Sequence, residues 1–83
     1  MAERDIVRVD WTDTVGRTRW GERAQAAQEL RPASCRSWGI VLRETEDYIT
    51  VAGSIDDTLD NVNDVNCIPR VAIRNITVLK KAP

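Results

Sequence analysis

The residues best suited to chemistry lie in the segment 12–23, which places three arginines around one tryptophan between two glycines. The arginines are Arg17, Arg19 and Arg23, and the tryptophan is Trp20. Guanidinium groups bind phosphate through paired hydrogen bonds, and an indole face stacks on a nucleobase. The segment therefore predicts a site for a nucleotide or a short piece of nucleic acid. The alternative is that Trp20 caps the open end of the domain or contacts another subunit, with solvated arginines around it.

The other two tryptophans, Trp11 and Trp38, lie in segments with strand character. A tryptophan on a strand belongs to a core or an interface more often than to a ligand platform. We therefore interpret both as core or subunit-contact residues.

The sequence offers little for catalysis. It contains no histidine, the commonest general base and metal ligand. Neither Cys35 nor Cys67 has a partner base, and no nucleophile or phosphate-binding motif occurs. The aspartates of 56–64 fail the spacing of a calcium loop, and the cysteines fit no zinc spacing. We predict a protein that is not an enzyme and has no metal or cofactor, with both thiols reduced unless they face each other and form a disulfide.

Charge is distributed unevenly along the 83 residues. The chain has 12 basic and 13 acidic side chains, a net charge of -1 that argues against non-specific DNA binding. By segment, the net charge is +2 for residues 1–43, -7 for 44–64 and +4 for 65–83. This pattern favours a homo-oligomer in which identical subunits meet head to tail. The acidic loop of one subunit would then contact the basic residues of the next, namely Arg70, Arg74, Lys80 and Lys81. An acidic loop that is merely solvated is the alternative.

The pattern of elements predicts one mainly β domain over residues 1–83. Residues 6–11 alternate apolar and polar side chains as a half-buried strand does, and 37–52 reads as a hairpin with a bend or bulge at Gly39. Between them, 12–34 reads as a long loop containing a short helix, and 56–64 as an acidic loop. Residues 66–79 suggest a strand, a tight 3₁₀ turn and a last strand. The sum is a strongly bent barrel of five short strands.

This order of elements resembles the SH3-like and Sm-like small barrels. The start Gly39-x-Val41 and the finish Asp47-Tyr48-Ile49-Thr50-Val51 are similar to the first Sm motif. Thr50 stands where Sm proteins have an RNA-contacting asparagine, so the uridine-binding residues do not carry over. The segments Val7-x-Val9-x-Trp11, Ser37-x-Gly39 and Ile68-Pro69-Arg70-x-Ala72-Ile73 together resemble small proteins of uncertain role encoded by bacteriophages and prophages.

The resemblance implies an accessory protein of phage type that acts by binding in the host cytoplasm. We expect it to sequester a small anionic ligand, such as a nucleotide signal, with Arg17, Arg19, Trp20 and Arg23, and so to counter a host defence. The alternatives are a module that inhibits or adapts a host protein, and an Sm-like nucleic-acid-binding protein. The sequence shows no secretory signal and no apolar run that could cross a bilayer, so no membrane association is expected.

Overall fold

A computed structural model describes residues 2–83 as one antiparallel sheet of five strands in the order β4-β3-β2-β1-β5. A short helix follows the first strand, and a 3₁₀ turn precedes the last one. In chain order the elements are β1 (Ile6–Asp13), α1 (Arg23–Glu29), β2 (Ala33–Glu44), β3 (Tyr48–Asp56), β4 (Asn61–Pro69), the 3₁₀ turn (Arg70–Ala72) and β5 (Ile73–Lys80). The mainly β class, the short helix and the 3₁₀ turn are confirmed.

The sheet has two free edges. β5 pairs with β1 and β4 pairs with β3, but within residues 2–83 the two edge strands do not pair with each other. The sheet is therefore open, and the predicted barrel is not confirmed.

The core is formed by alternate residues of the strands. Val7 and Val9 on β1 are fully buried, as are Ile49 and Val51 on β3. Trp11 packs against this cluster from the end of β1, and its indole N–H donates to the Ser37 hydroxyl at 2.9 Å. The face predicted from the period of two is thus the buried one.

β2 changes its partner midway. Residues 33–40 pair with β1, and from Ile40 onward β2 pairs with β3. A Cβ atom added to Gly39 would lie 2.8 Å from the carbonyl oxygen of Ala52, so the backbones approach too closely there for a side chain. The register irregularity itself falls at Leu42, between Val41 and Arg43. A bend or bulge was predicted at Gly39: Gly39 permits the close approach of the backbones, and the bulge lies three residues later.

A second bulge explains the spacing of the last strand. Ile73 and Ile76 both pack against the core although they are three residues apart. Trp11 pairs with Ile73 and Asp10 with Asn75, so the register skips Arg74 and returns Ile76 to the core face.

The two predicted loops are shorter than expected. β1 and β2 leave only residues 14–32 as the β1–β2 loop, instead of 12–34. The acidic loop 56–64 is mostly a hairpin, with a turn at residues 57–60 between β3 and β4. The Asp56 carboxylate accepts hydrogen bonds from the N–H groups of Thr58 and Leu59. Asp60 and Asp64 have φ of 54°, a backbone conformation that Asp tolerates. The polar composition thus belongs to a turn and an exposed edge strand.

Candidate functional site

The four residues predicted to bind a ligand all lie on the β1–β2 loop, but Arg17 and Trp20 have different surroundings. The Arg17 guanidinium lies 3.4 Å from the Glu29 carboxylate, and the Arg17 side chain is only 19% exposed. Gln25 donates to the same carboxylate at 2.8 Å. Arg17 therefore ties the start of the loop to the end of α1, with Glu29 as its ion-pair partner.

Trp20 has the opposite environment. Its side chain is fully exposed and touches no core. Arg19 and Arg23 beside it are exposed too, and neither has an ion pair within residues 2–83. Two surface cavities lie elsewhere on the described chain, and residues of this loop line neither of them. The loop thus presents a projecting indole flanked by two positive charges.

Few contacts hold the loop in place. α1 is seven residues long, has no buried residue and has no side-chain cap at its start. An isolated helix of this length is marginal in water. The loop therefore carries its exposed groups on a weakly anchored segment.

The residues predicted as subunit contacts have different surroundings. Arg70 forms an ion pair with Glu44 and donates to the Thr45 carbonyl at 3.2 Å, which fixes the β2–β3 turn. Arg74, on the bulge of β5, donates to two backbone carbonyls of β1 and β2 at 3.3 and 3.4 Å, those of Trp11 and Cys35. Both arginines, and the half-buried Trp11, therefore have partners within one chain.

Trp38 remains as a surface residue. Its side chain is 59% exposed on the sheet face opposite the core, where it stands directly across from Arg8. Arg8 in turn forms an ion pair with Asp10 at 3.0 Å. Trp38 is thus an exposed aromatic beside an ion pair, on a strand rather than on the loop.

An open groove, which the sequence reasoning missed, lies at the other end of β1. Its apolar wall is formed by Ile6, Ile40 and Ile55, and its volume is about 530 Å³. Arg4 and Asp57 stand at its rim, 3.6 Å apart. The available signal was that Ile6 and Ile40 occupy outward-facing strand positions, where a half-exposed sheet normally has polar residues.

A buried carboxylate holds the chain ends beside this groove. Asp5 is 3% exposed and accepts hydrogen bonds from the N–H groups of Ala82 at 2.8 Å and Ala2 at 3.0 Å. These hydrogen bonds, that of Ala82 foremost, hold the pKa of the Asp5 carboxyl below its usual value. The adjoining Pro83 lines the groove, so Asp5 positions part of its wall.

No group of three or more Cys, Asp or Glu side chains within residues 2–83 is placed to hold a metal ion. Cys35 and Cys67 are free thiols, so the disulfide alternative is wrong. In the same part of the chain, no helix combines the length and apolar content that crossing a membrane requires.

No protein-family model, curated protein or solved structure matches this chain. The resemblance to phage proteins and the predicted cytoplasmic location remain predictions.

Proposed function

We propose that this chain is a non-enzymatic protein-interaction module that binds through its β1–β2 loop, with Trp20 as the anchor. The observation that carries the proposal is the full exposure of the Trp20 side chain on this loop. Tryptophan is enriched among the few residues that dominate binding energy at protein interfaces. An indole left in water at this position is best explained by a partner that covers it.

The shape of the loop favours a macromolecular partner over a small ligand. Small-molecule sites are concave and enclose most of the ligand. Trp20 projects instead, and Arg17 is held by Glu29. A projecting aromatic with flanking charges is suited to enter a pocket on another protein.

The test compares three immobilised proteins: the wild type, Trp20→Ala and the matched control Trp38→Ala. Both substitutions remove an exposed tryptophan, but only one lies on the loop. We expect a protein from a lysate of the native cells to be retained by the wild type and by Trp38→Ala and lost with Trp20→Ala. Equal retention by all three would show that the loop is not the binding element.

The second candidate function is sequestration of a small anionic ligand, such as a nucleotide signal. It is favoured by the two exposed arginines, Arg19 and Arg23, which lack ion-pair partners within residues 2–83 and flank a stacking surface. Excess absorbance near 260 nm in natively purified protein, or a thermal shift with mono-, di- or cyclic nucleotides, would support it. A clean spectrum with no shift would exclude this candidate. Together with the phage resemblance, a positive result would suit a protein that counters a host defence.

We also propose that the open sheet is a variant of the SH3-like or Sm-like small barrel. The proposal is supported by the strand order β4-β3-β2-β1-β5 and by the 3₁₀ turn between the two edge strands. The Sm-like nucleic-acid function has less support, because the net charge is negative.

A further inference from the structure

The molecule has an exposed aromatic anchor and an apolar groove, and the two are on opposite ends of the same strand pair. β1 runs from Ile6 at the groove to Asp13 at the base of the loop, and β2 returns from Ala33 to Ile40. Seven residue steps at about 3.3 Å place the two ends roughly 23 Å apart. Because Trp20 is fully exposed and lines no part of the groove, it leaves the groove of its own chain open.

The groove has the chemistry to receive an indole. Three isoleucine side chains supply its apolar wall, and its volume of about 530 Å³ lies within the range of about 300–1,000 Å³ typical of binding clefts. The Arg4 guanidinium at the rim can lie over an aromatic face. An aromatic side chain buried there would remove a large apolar area from water, on both sides of the contact.

The β1–β2 loop and the hairpin beside the groove carry net charges of opposite sign, although Arg4 stands at the groove rim and Lys80 pairs with Ile6 of its wall. The β1–β2 loop carries four arginines and two glutamates, a net charge of +2. The hairpin end beside the groove, residues 53–65, carries four aspartates and no basic residue. Both segments are largely exposed. Docking of the loop at this end would place the arginines beside the aspartates, which steers the encounter and fixes its orientation.

We infer that the groove receives Trp20 of a second copy of this chain, so that copies associate head to tail. This inference rests on the proposed function and names its partner. Each copy offers the anchor at one end and the pocket at the other, so the contact is heterologous. Such a contact closes into a ring or extends into a filament, depending on the rotation between neighbours.

The test uses complementary variants. Trp20→Ala removes the anchor and leaves the groove intact. Ser54→Arg fills the groove from an exposed strand position with a charge of the same sign as the loop. Asn75→Arg, at an exposed position of β5, adds the same charge outside the groove and serves as its control.

We expect light scattering to show that the wild type, Asn75→Arg and Trp38→Ala self-associate. Trp20→Ala and Ser54→Arg should each associate at least about 30-fold more weakly, the factor that a hot spot of about 2 kcal/mol gives. An equimolar mixture of these two variants should form a one-to-one heterodimer and nothing larger, because the mixture contains one intact loop and one intact groove for each pair. Unchanged circular dichroism would show that both variants are folded.

Three results would overturn the inference. A wild type that is monomeric at every accessible concentration would exclude the second copy, while Trp20-dependent capture of another protein would still support the proposed function. Self-association that survives Trp20→Ala would assign the contact to other surfaces, such as the free edges of β4 and β5. A heterodimer that fails to form, with Ser54→Arg associating like the wild type, would show that Trp20 enters a different pocket.

Discussion

At the scale of single residues, the close approach of two strands depends on a glycine, Gly39. Gly39 lies where β2 passes from β1 to β3, and an added Cβ would meet backbone, which cannot move aside. We expect Gly39→Ala to destabilise the protein by about 1–3 kcal/mol, as overpacking does. Gly16 is the matched control, because nothing lies within 4 Å of its added Cβ. Urea denaturation of both variants measures the difference, and equal stability of the two would contradict the close approach.

A second prediction at this scale concerns the contribution of Asp5 to stability and its dependence on pH. Because the Asp5 pKa is lower in the folded chain, its hydrogen bonds add stability above the unfolded pKa of about 3.9. That contribution is lost as the pH falls through the folded pKa. We expect Asp5→Asn to be less stable than the wild type at pH 7, with the difference shrinking below about pH 4. Unfolding curves at a series of pH values test this, with the exposed Glu46→Gln as control. A difference independent of pH would show that the Asp5 charge plays no part.

At the scale of elements, the β1–β2 loop and the strands that carry it should differ sharply in stability. α1 buries no residue, whereas β1 lies between two strands and supplies two fully buried valines. We expect amides of α1 to exchange with an opening free energy near zero and those of Val7 and Val9 with one near the global value. Hydrogen exchange followed by mass spectrometry measures both. Protection of α1 equal to that of β1 would contradict this prediction. It would show that contacts beyond those within one chain hold the loop.

The elements also show what the sequence can predict. Period-two alternation identified the core face of β1, and composition placed the short helix, because both signals are local. The bulges at Leu42 and Arg74 depend on which strand lies opposite, which no local pattern encodes. Residues 61–64 of β4 are rich in Asn and Asp, as loops are. They form a strand because they pair with β3.

The same distinction applies to the candidate site. The arginines and Trp20 were found from composition, yet the Arg17 partner and the full exposure of Trp20 depend on how the loop folds. The groove joins Ile6, Ile40 and Ile55 from three strands, so its parts are visible in the sequence but its existence is not. The sequence therefore indicates Trp20 and its arginines but not the groove.

At the scale of the whole molecule, the β1–β2 loop and the hairpin beside the groove differ in net charge, although Arg4 and Lys80 add positive charge at the groove end. The loop end is positive, and the hairpin beside the groove is negative. If copies meet head to tail, these ends come together, and salt must weaken the contact. We expect self-association to fall several-fold as ionic strength rises from about 0.05 M to about 0.5 M, where the Debye length becomes a few ångströms. Sedimentation velocity measures this, and association that strengthens with salt would indicate a purely apolar contact.

The central claim is that the Trp20 side chain enters the groove of a second copy. Its most direct test is photo-crosslinking from that position, with the Trp20→p-benzoylphenylalanine variant irradiated and the linked peptides identified by mass spectrometry. We expect a covalent dimer in which residue 20 of one copy is joined to a peptide containing Ile40 or the segment 53–57 of the other. The product should be lost when the irradiated chain also carries Ser54→Arg. Cross-links that map to the sheet edges, or a product that forms only within one chain, would contradict the account.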